Sequence, residues 1–363
     1  MPPILPQPGV LDIAPYEGGA AALPDGRAVL KLSANENPLG PSPGARAAYL
    51  AEAERLERYP SGGHDALRAA IAETHGLDPA RIVCGAGSDE LIALLCHAYA
   101  GPGDVVLHTQ HGFAMYRIGA QAAGATPQSV PERDRRVDVA ALIASADDRT
   151  RIVFIANPGN PTGTFLEPDA LARLAEGLPT GCLLVLDGAY AEFADGYDGG
   201  AALVTARQDV VMLRTFSKIH GLGGLRVGWA LGPAHVVDVL NRVRGPFNLS
   251  SPALAAAEAA MRDTGWVAQC RAENARWRAW LAEALRGLGL AVDDSHANFV
   301  LARFADPAEA TAADAALRAE GILARRVTGY GFPEALRITV GDADGCRRVA
   351  ATMAGFRSAR GAA

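Results

Sequence analysis

Lysine is nearly missing from this sequence. Of its 34 basic side chains only Lys31 and Lys218 are lysine, and the rest are arginine. A codon bias accounts for abundant arginine but not for Lys218, which stands in RTFSKIHGLGGLR (residues 214–226) beside Phe216, Ile219, Leu222 and Leu225. Other shortages exclude whole classes. The five cysteines, Cys84, Cys96, Cys182, Cys270 and Cys346, are odd in number, scattered and free of any C-x-x-C pattern. They exclude a disulfide framework and are expected to be buried thiols. His108 and His111 lie three apart with no other His or Cys nearby, so no metal site is expected. There is no apolar run of about 18 residues, so no membrane span is expected. The opening MPPILPQPGVLDIAPYEGG has neither the basic nor the apolar region of a signal peptide, which points to the cytoplasm. A formal net charge of −6 without a basic face argues against nucleic acid as a partner.

What is present reads as α/β. At 363 residues the chain should form one large domain and a smaller one. After a Pro- and Gly-rich arm and the turn-rich 33–43, helical patterns cover 45–59 and 61–75. From about 80 to 235 short apolar runs (81–85, 104–109, 151–158, 182–190, 209–217, 226–232) alternate with helical ones (88–100, 113–124, 168–178). Strands that are apolar throughout, separated by helices, predict a mostly parallel central sheet covered on both faces. Such sheets carry their sites beyond the carboxyl ends of the strands. From about 250 an Ala-rich helical stretch (252–289) gives way to strands at 298–304 and 336–341 around a helix at 307–320. The expected division is a large domain over 30–248, with 1–29 and 249–363 forming an arm and a small α+β domain.

The polar residues of interest follow the strands. Lys218 is a primary amine among apolar neighbours, where desolvation can make it a nucleophile; arginine could not take that role. Thr215, Ser217 and Arg226 around the glycines of GLGGLRVG can hold a phosphate. The last glycine of a dinucleotide G-x-G-x-x-G is replaced there by Arg226, which argues against a Rossmann loop. GAGSDE (85–90) places Ser88 and Asp89 at a helix start, an anion site with Ser88 as a possible cap. ANPGNPTG (156–163) offers Asn160 as a donor to a ligand oxygen, or a turn of Asn, Pro and Gly chosen for backbone geometry. Asp187 ends the apolar run CLLVL, costly without a cationic partner, and Tyr190 follows three residues on. A carboxylate for a ring nitrogen and a phenol for a ring oxygen suit a pyridine cofactor.

The order of these stretches resembles the fold-type I pyridoxal-phosphate aminotransferases: NPxNPTG, Asp-x-x-Tyr after a strand, Ser-Lys, then Arg eight residues later. LSANENPLGPSP (32–43), RYP (58–60), GAGSDELI (85–92) and LRITVG (336–341) narrow it to a resemblance to the histidinol-phosphate aminotransferase family. The resemblance implies pyridoxal 5'-phosphate as cofactor, with Lys218 bonded to it and then moving the proton. It implies Asp187 at the pyridine nitrogen, Tyr190 and Asn160 at the ring oxygen, and Phe113 stacked on the ring. The backbone of Ser88 and Asp89, with Thr215, Ser217 and Arg226, would hold the phosphate. Tyr59 would reach the cofactor of a second subunit, so a homodimer is implied. Arg337 and Arg325 would bind substrate anions, with Tyr16 and Asn37 near the substrate.

The implied reaction is transamination of L-histidinol phosphate with 2-oxoglutarate, giving imidazole acetol phosphate and glutamate. An aromatic amino-acid or dual-specificity aminotransferase places a similar flat ring in the same pocket, and threonine-phosphate decarboxylases use the same cofactor residues. A cofactor-sensing transcription regulator would need a DNA-reading module, for which the Pro- and Gly-rich residues before the first motif leave no room. Two stretches depart from the family. Gly188 replaces the glutamate of the usual Asp-Glu-Ala-Tyr, and His111, Gly112, Phe113 and Ala114 replace Pro-Thr-Phe-Ser.

Overall fold

The computed structural model describes residues 4–361 except Pro8 and Glu17. Its strands are β1 (Leu30–Lys31), β2 (Ile82–Gly85), β3 (Val105–Thr109), β4 (Thr126–Val130), β5 (Thr150–Ala156), β6 (Leu183–Asp187) and β7 (Val210–Thr215). They continue as β8 (Gly228–Leu231), β9 (Ala291–Val292), β10 (Phe299–Arg303), β11 (Ile322–Leu323), β12 (Arg325–Val327) and β13 (Phe332–Thr339). Strands β2 to β8 form one sheet in the order β2-β8-β7-β6-β5-β3-β4, parallel except for β8, which is antiparallel to both neighbours. The residues of β2, β3, β6, β7 and β8 are buried throughout, as expected for strands covered on both faces. One core lies on each face. Leu107, Leu184, Leu186 and Met212 face one, and Phe154, Val185, Val211 and Leu213 face the other.

From β3 the chain steps to β4 on one side, then crosses to β5 on the other. The strand order therefore reverses beside β3, and the segments after β3, β5, β6 and β7 meet at one end of the sheet. Helices Val139–Ser145, Ala201–Ala206, Ala234–Val243 and Ala343–Gly361 lie where no helix was expected. Strand β4 was not expected either. It is an exposed edge strand, TPQSV, with Pro127 inside it, a composition that reads as a loop.

The small sheet, β12-β13-β10-β9, is antiparallel and shares a core with Trp277, Leu281, Leu285, Leu317 and Met353. Its limits differ from the expected 249–363. Helix Ser251–Arg262 packs on helices Pro43–Ala51 and Asp65–His75, and its Ala253, Ala256, Ala257 and Ala260 belong to the large-sheet core. The passage comes at Asp263, which caps helix Thr264–Gly287 by accepting from the Trp266 N–H at 3.0 Å. Each helix carries six alanines and the two follow one another directly, so composition alone hides the break. At the other end β1 pairs with β11, and Leu32 enters the small core, so the segment beginning at Leu30 ties the two cores together. Among the described residues, no helix is long and apolar enough to cross a membrane. All five cysteines are buried and unpaired.

Candidate active site

The strand ends and the 31–36 segment enclose a cleft of about 390 Å³ between the two sheets. Lys218 projects into it three residues beyond the end of β7, and its Nζ donates to the Ala34 carbonyl at 3.2 Å. Desolvation pushes its amine down to about 8; the nearby Arg337 adds to this, while Glu36 and Asp187 oppose it. Both lysines of the chain line this cleft, Lys31 being paired with Glu36 at 2.6 Å.

Asp187, the last residue of β6, is buried. Its Oδ2 accepts from Tyr116 Oη at 2.7 Å and its Oδ1 from the Ala189 N–H at 3.1 Å. Burial pushes this carboxyl up, and Tyr116, the Ala189 N–H and Lys218 oppose the shift. A buried carboxylate held on one edge by a phenol is suited to a cation in the cleft beside it. Tyr116 escaped the sequence analysis; the signal for it was its spacing, three residues after Phe113 on the same helical face. Phe113 meets Tyr116 edge-on at 5.9 Å, and Tyr16 meets Phe113 edge-on at 6.0 Å.

The anion cradle lies at the start of helix Ser88–Tyr99. Gly87 occupies the N-cap at φ 87°, so Ser88 is the first helical residue and not the cap. Arg226, itself in the left-handed region at φ 54°, donates to Asp89 Oδ1 at 2.6 Å, Ser217 Oγ at 3.2 Å and the Gly223 carbonyl at 3.1 Å. Two glycines make room. A Cβ at Gly228 would lie 2.4 Å from the Ser88 nitrogen, and one at Gly87 would lie 2.4 Å from Arg226 Nη2. Gly87→Ala should therefore displace Arg226 and weaken cofactor retention by about tenfold or more, given about 1–3 kcal/mol of local strain. Equilibrium dialysis followed by absorbance would measure it, and unchanged retention would remove Gly87 from the cradle.

Arg337, on β13, is buried; its Nη1 donates to Asn160 Oδ1 at 2.5 Å and its Nη2 to the Ser33 carbonyl at 3.1 Å. This leaves the Asn160 amide Nδ2 for a ligand. Arg325 also lines the cleft and donates to the Gly18 carbonyl of the N-terminal arm. Tyr190 is buried, and its Oη accepts from Asn35 Nδ2 at 2.8 Å. Burial pushes its phenol up to about 12, with Arg337 and Asn35 opposing.

The cleft thus brings together Tyr16, Ser88, Asp89, Phe113, Asn160, Asp187, Tyr190, Thr215, Ser217, Lys218, Arg226, Arg325 and Arg337. Asn37 is not among them. Its Nδ2 donates to the Ile219 carbonyl at 2.7 Å and to Cys270 Sγ at 3.2 Å, and it lines a neighbouring cavity. Asn35 takes the place expected of it. Tyr59 also lies outside its own chain's cleft, exposed and stacked on Phe247 at 4.8 Å. Gly188 has a local cause: a Cβ there would lie 3.0 Å from both the Arg214 Cδ and the Leu213 carbonyl. The buried Arg214 is paired instead with Glu192 at 3.1 Å.

This donor set fits pyridoxal phosphate. A lysine of lowered basicity faces a buried carboxylate, and a glycine-cleared helix start with an arginine forms an anion cradle. Comparison with known proteins agrees. The profile of the aminotransferase class I and II family matches residues 27–353. The chain is 65% identical over 358 residues to the histidinol-phosphate aminotransferase of Dinoroseobacter shibae, covering 99% of both chains. It is 58% identical to that of Paracoccus denitrificans, covering 98% of this chain and 97% of the relative. It superposes with a TM-score of 0.89 on the crystal structure of histidinol-phosphate aminotransferase from Sinorhizobium meliloti in complex with pyridoxal-5'-phosphate, at 26% identity and 98% coverage of each chain.

Proposed function

Because the chain belongs to the class I and II aminotransferases, and within them to the histidinol-phosphate aminotransferases, we propose that it transfers the amino group of L-histidinol phosphate to 2-oxoglutarate. The observation that carries the reading is the pairing of chemistries in one cleft. Lys218 and Asp187 serve a pyridine aldehyde, while Arg337 and Arg325 stand ready for substrate anions.

Pyridoxal phosphate, when bound, supplies an aldehyde that amines capture and a ring that withdraws electrons from the carbon next to the captured nitrogen. The protein does the rest. The Ser88 and Asp89 backbone with Thr215, Ser217 and Arg226 would anchor the phosphate group. Asp187 would keep a proton on the ring nitrogen, Tyr116 holding its outer oxygen. Tyr190 and Asn160 would donate to the ring oxygen, and Phe113 would cover the ring face. Lys218 would hold the aldehyde and, as a free amine, would carry a proton between neighbouring carbons. Arg337 would take the carboxylate of 2-oxoglutarate or the phosphate of the donor, with Arg325 and Tyr16 beside it.

A second copy of the chain is part of this reading. Tyr59 lies with exposed Leu56 and Phe247 at one surface depression, which suits a dimer in which Tyr59 reaches the partner's cofactor phosphate. Mixing Tyr59→Phe and Lys218→Ala chains tests this: hybrid dimers should have one site with both residues native.

The substrate is tested by half-reactions. The cofactor-loaded protein is mixed with L-histidinol phosphate or phenylalanine, and its absorbance is followed as the cofactor takes the amino group. Much faster conversion with histidinol phosphate is expected. Equal or faster conversion with phenylalanine would make this an aromatic aminotransferase, and carbon dioxide release would make it a decarboxylase.

A further inference from the structure

The segment from Ser33 to Asn35 touches three functional side chains in succession. The Ser33 carbonyl holds Arg337, the Ala34 carbonyl holds Lys218 Nζ, and Asn35 holds Tyr190. Asn35 is the unusual member. It is fully buried and sits at φ 56°, a conformation costly for residues other than glycine and best tolerated by asparagine. Four hydrogen bonds hold it there. Its N–H donates to Thr339 Oγ1 at 2.9 Å, its Oδ1 accepts from Thr339 Oγ1 at 3.2 Å, its carbonyl accepts from Asn298 Nδ2 at 2.9 Å, and its Nδ2 donates to Tyr190 Oη at 2.8 Å.

These bonds have a direction. Thr339 Oγ1 carries one proton and already accepts from the Asn35 N–H, so that proton goes to Asn35 Oδ1. The amide is thereby oriented with its Nδ2 toward Tyr190. Tyr190 Oη must then accept from Asn35, and its own proton points elsewhere, into the cleft. We propose that Asn35, oriented by Thr339, is a positioning residue that aims the Tyr190 hydroxyl proton at the ring oxygen of the cofactor. Strand β13 carries both Thr339 and Arg337, so one strand of the small sheet sets the substrate arginine and the direction of the phenol. The Tyr190 phenol is neutral at working pH, as a donor must be.

The inference rests on the aminotransferase reading, and its test uses the pH midpoint of the visible band of the lysine-bound cofactor. A hydroxyl donating to the ring oxygen stabilises that oxygen's anion and lowers the midpoint. Asn35→Gly accepts the left-handed backbone and removes the donor. It should move the midpoint upward, part of the way toward that of Tyr190→Phe, and lower kcat about tenfold with little change in KM. Thr339→Val should act in the same direction more weakly, and it serves as the probe if Asn35→Gly does not fold. In a Tyr190→Phe background neither change should shift the midpoint further. Unchanged midpoints in the single variants, or equal shifts with Phe at position 190, would overturn the proposal. A protein that takes up no cofactor at all would sink the aminotransferase reading itself.

Discussion

Lys218→Ala is expected to abolish the visible band of bound cofactor and to lower turnover at least about 10⁴-fold. General acid–base transfer by a positioned side chain alone is worth about 10² to 10⁴, and this substitution also removes the covalent attachment. Lys218→Arg should fail as badly, because a guanidinium does not give up its proton at working pH. Folding should survive in both, since Lys218 has one protein hydrogen bond, to the Ala34 carbonyl. The same residue sets a pH dependence. With the amine lowered from 10.5 to about 8 by burial, about a tenth of it is neutral at pH 7, against roughly 0.03% for an unperturbed lysine. Capture of cofactor by cofactor-free protein should therefore quicken as pH rises and level off above about 8. A rate still climbing steeply at pH 10 would show that the cleft does not depress the amine.

Asp187→Asn should be the next most damaging change, lowering the rate of the amino-transfer half-reaction by about 10² to 10⁴. Removing one member of a buried charge pair costs about 3–5 kcal/mol, and each 1.36 kcal/mol is a factor of ten. Asparagine keeps the shape: its Oδ1 can still accept from the Ala189 N–H while its Nδ2 donates to Tyr116 Oη, so the loss would report charge and not packing. Stopped-flow absorbance of the loaded protein gives the rate, and a loss below about fivefold would mean that Asp187 does not hold the ring proton.

Much of this site was legible because its residues sit at the ends of apolar strands. Asp187 closes β6 and Thr215 closes β7, and a polar residue ending a fully buried run stands out from its neighbours. Lys218 stood out by its rarity. What stayed hidden depends on backbone conformation and on contacts distant in sequence. Asn35 and Asn37 share the same motif and would share a face in a regular extended segment. The left-handed turn at Asn35 breaks that alternation, so Asn35 faces Tyr190 while Asn37 turns to Ile219 and Cys270. Ser88 read as a cap because serine favours caps, yet Gly87 holds that position where a Cβ would strike Arg226. The boundary near Asp263 was masked by two successive Ala-rich helices that belong to different cores.

Whether Lys218 carries the cofactor can be measured directly, because lysine is so scarce in this chain. The loaded protein is reduced with borohydride, digested and mapped by mass spectrometry. Because the chain has only Lys31 and Lys218, a lysine-linked cofactor has two places to be. The phosphopyridoxyl group is expected on Lys218 alone, at close to one per chain. The group on Lys31, or on neither lysine, would contradict that assignment.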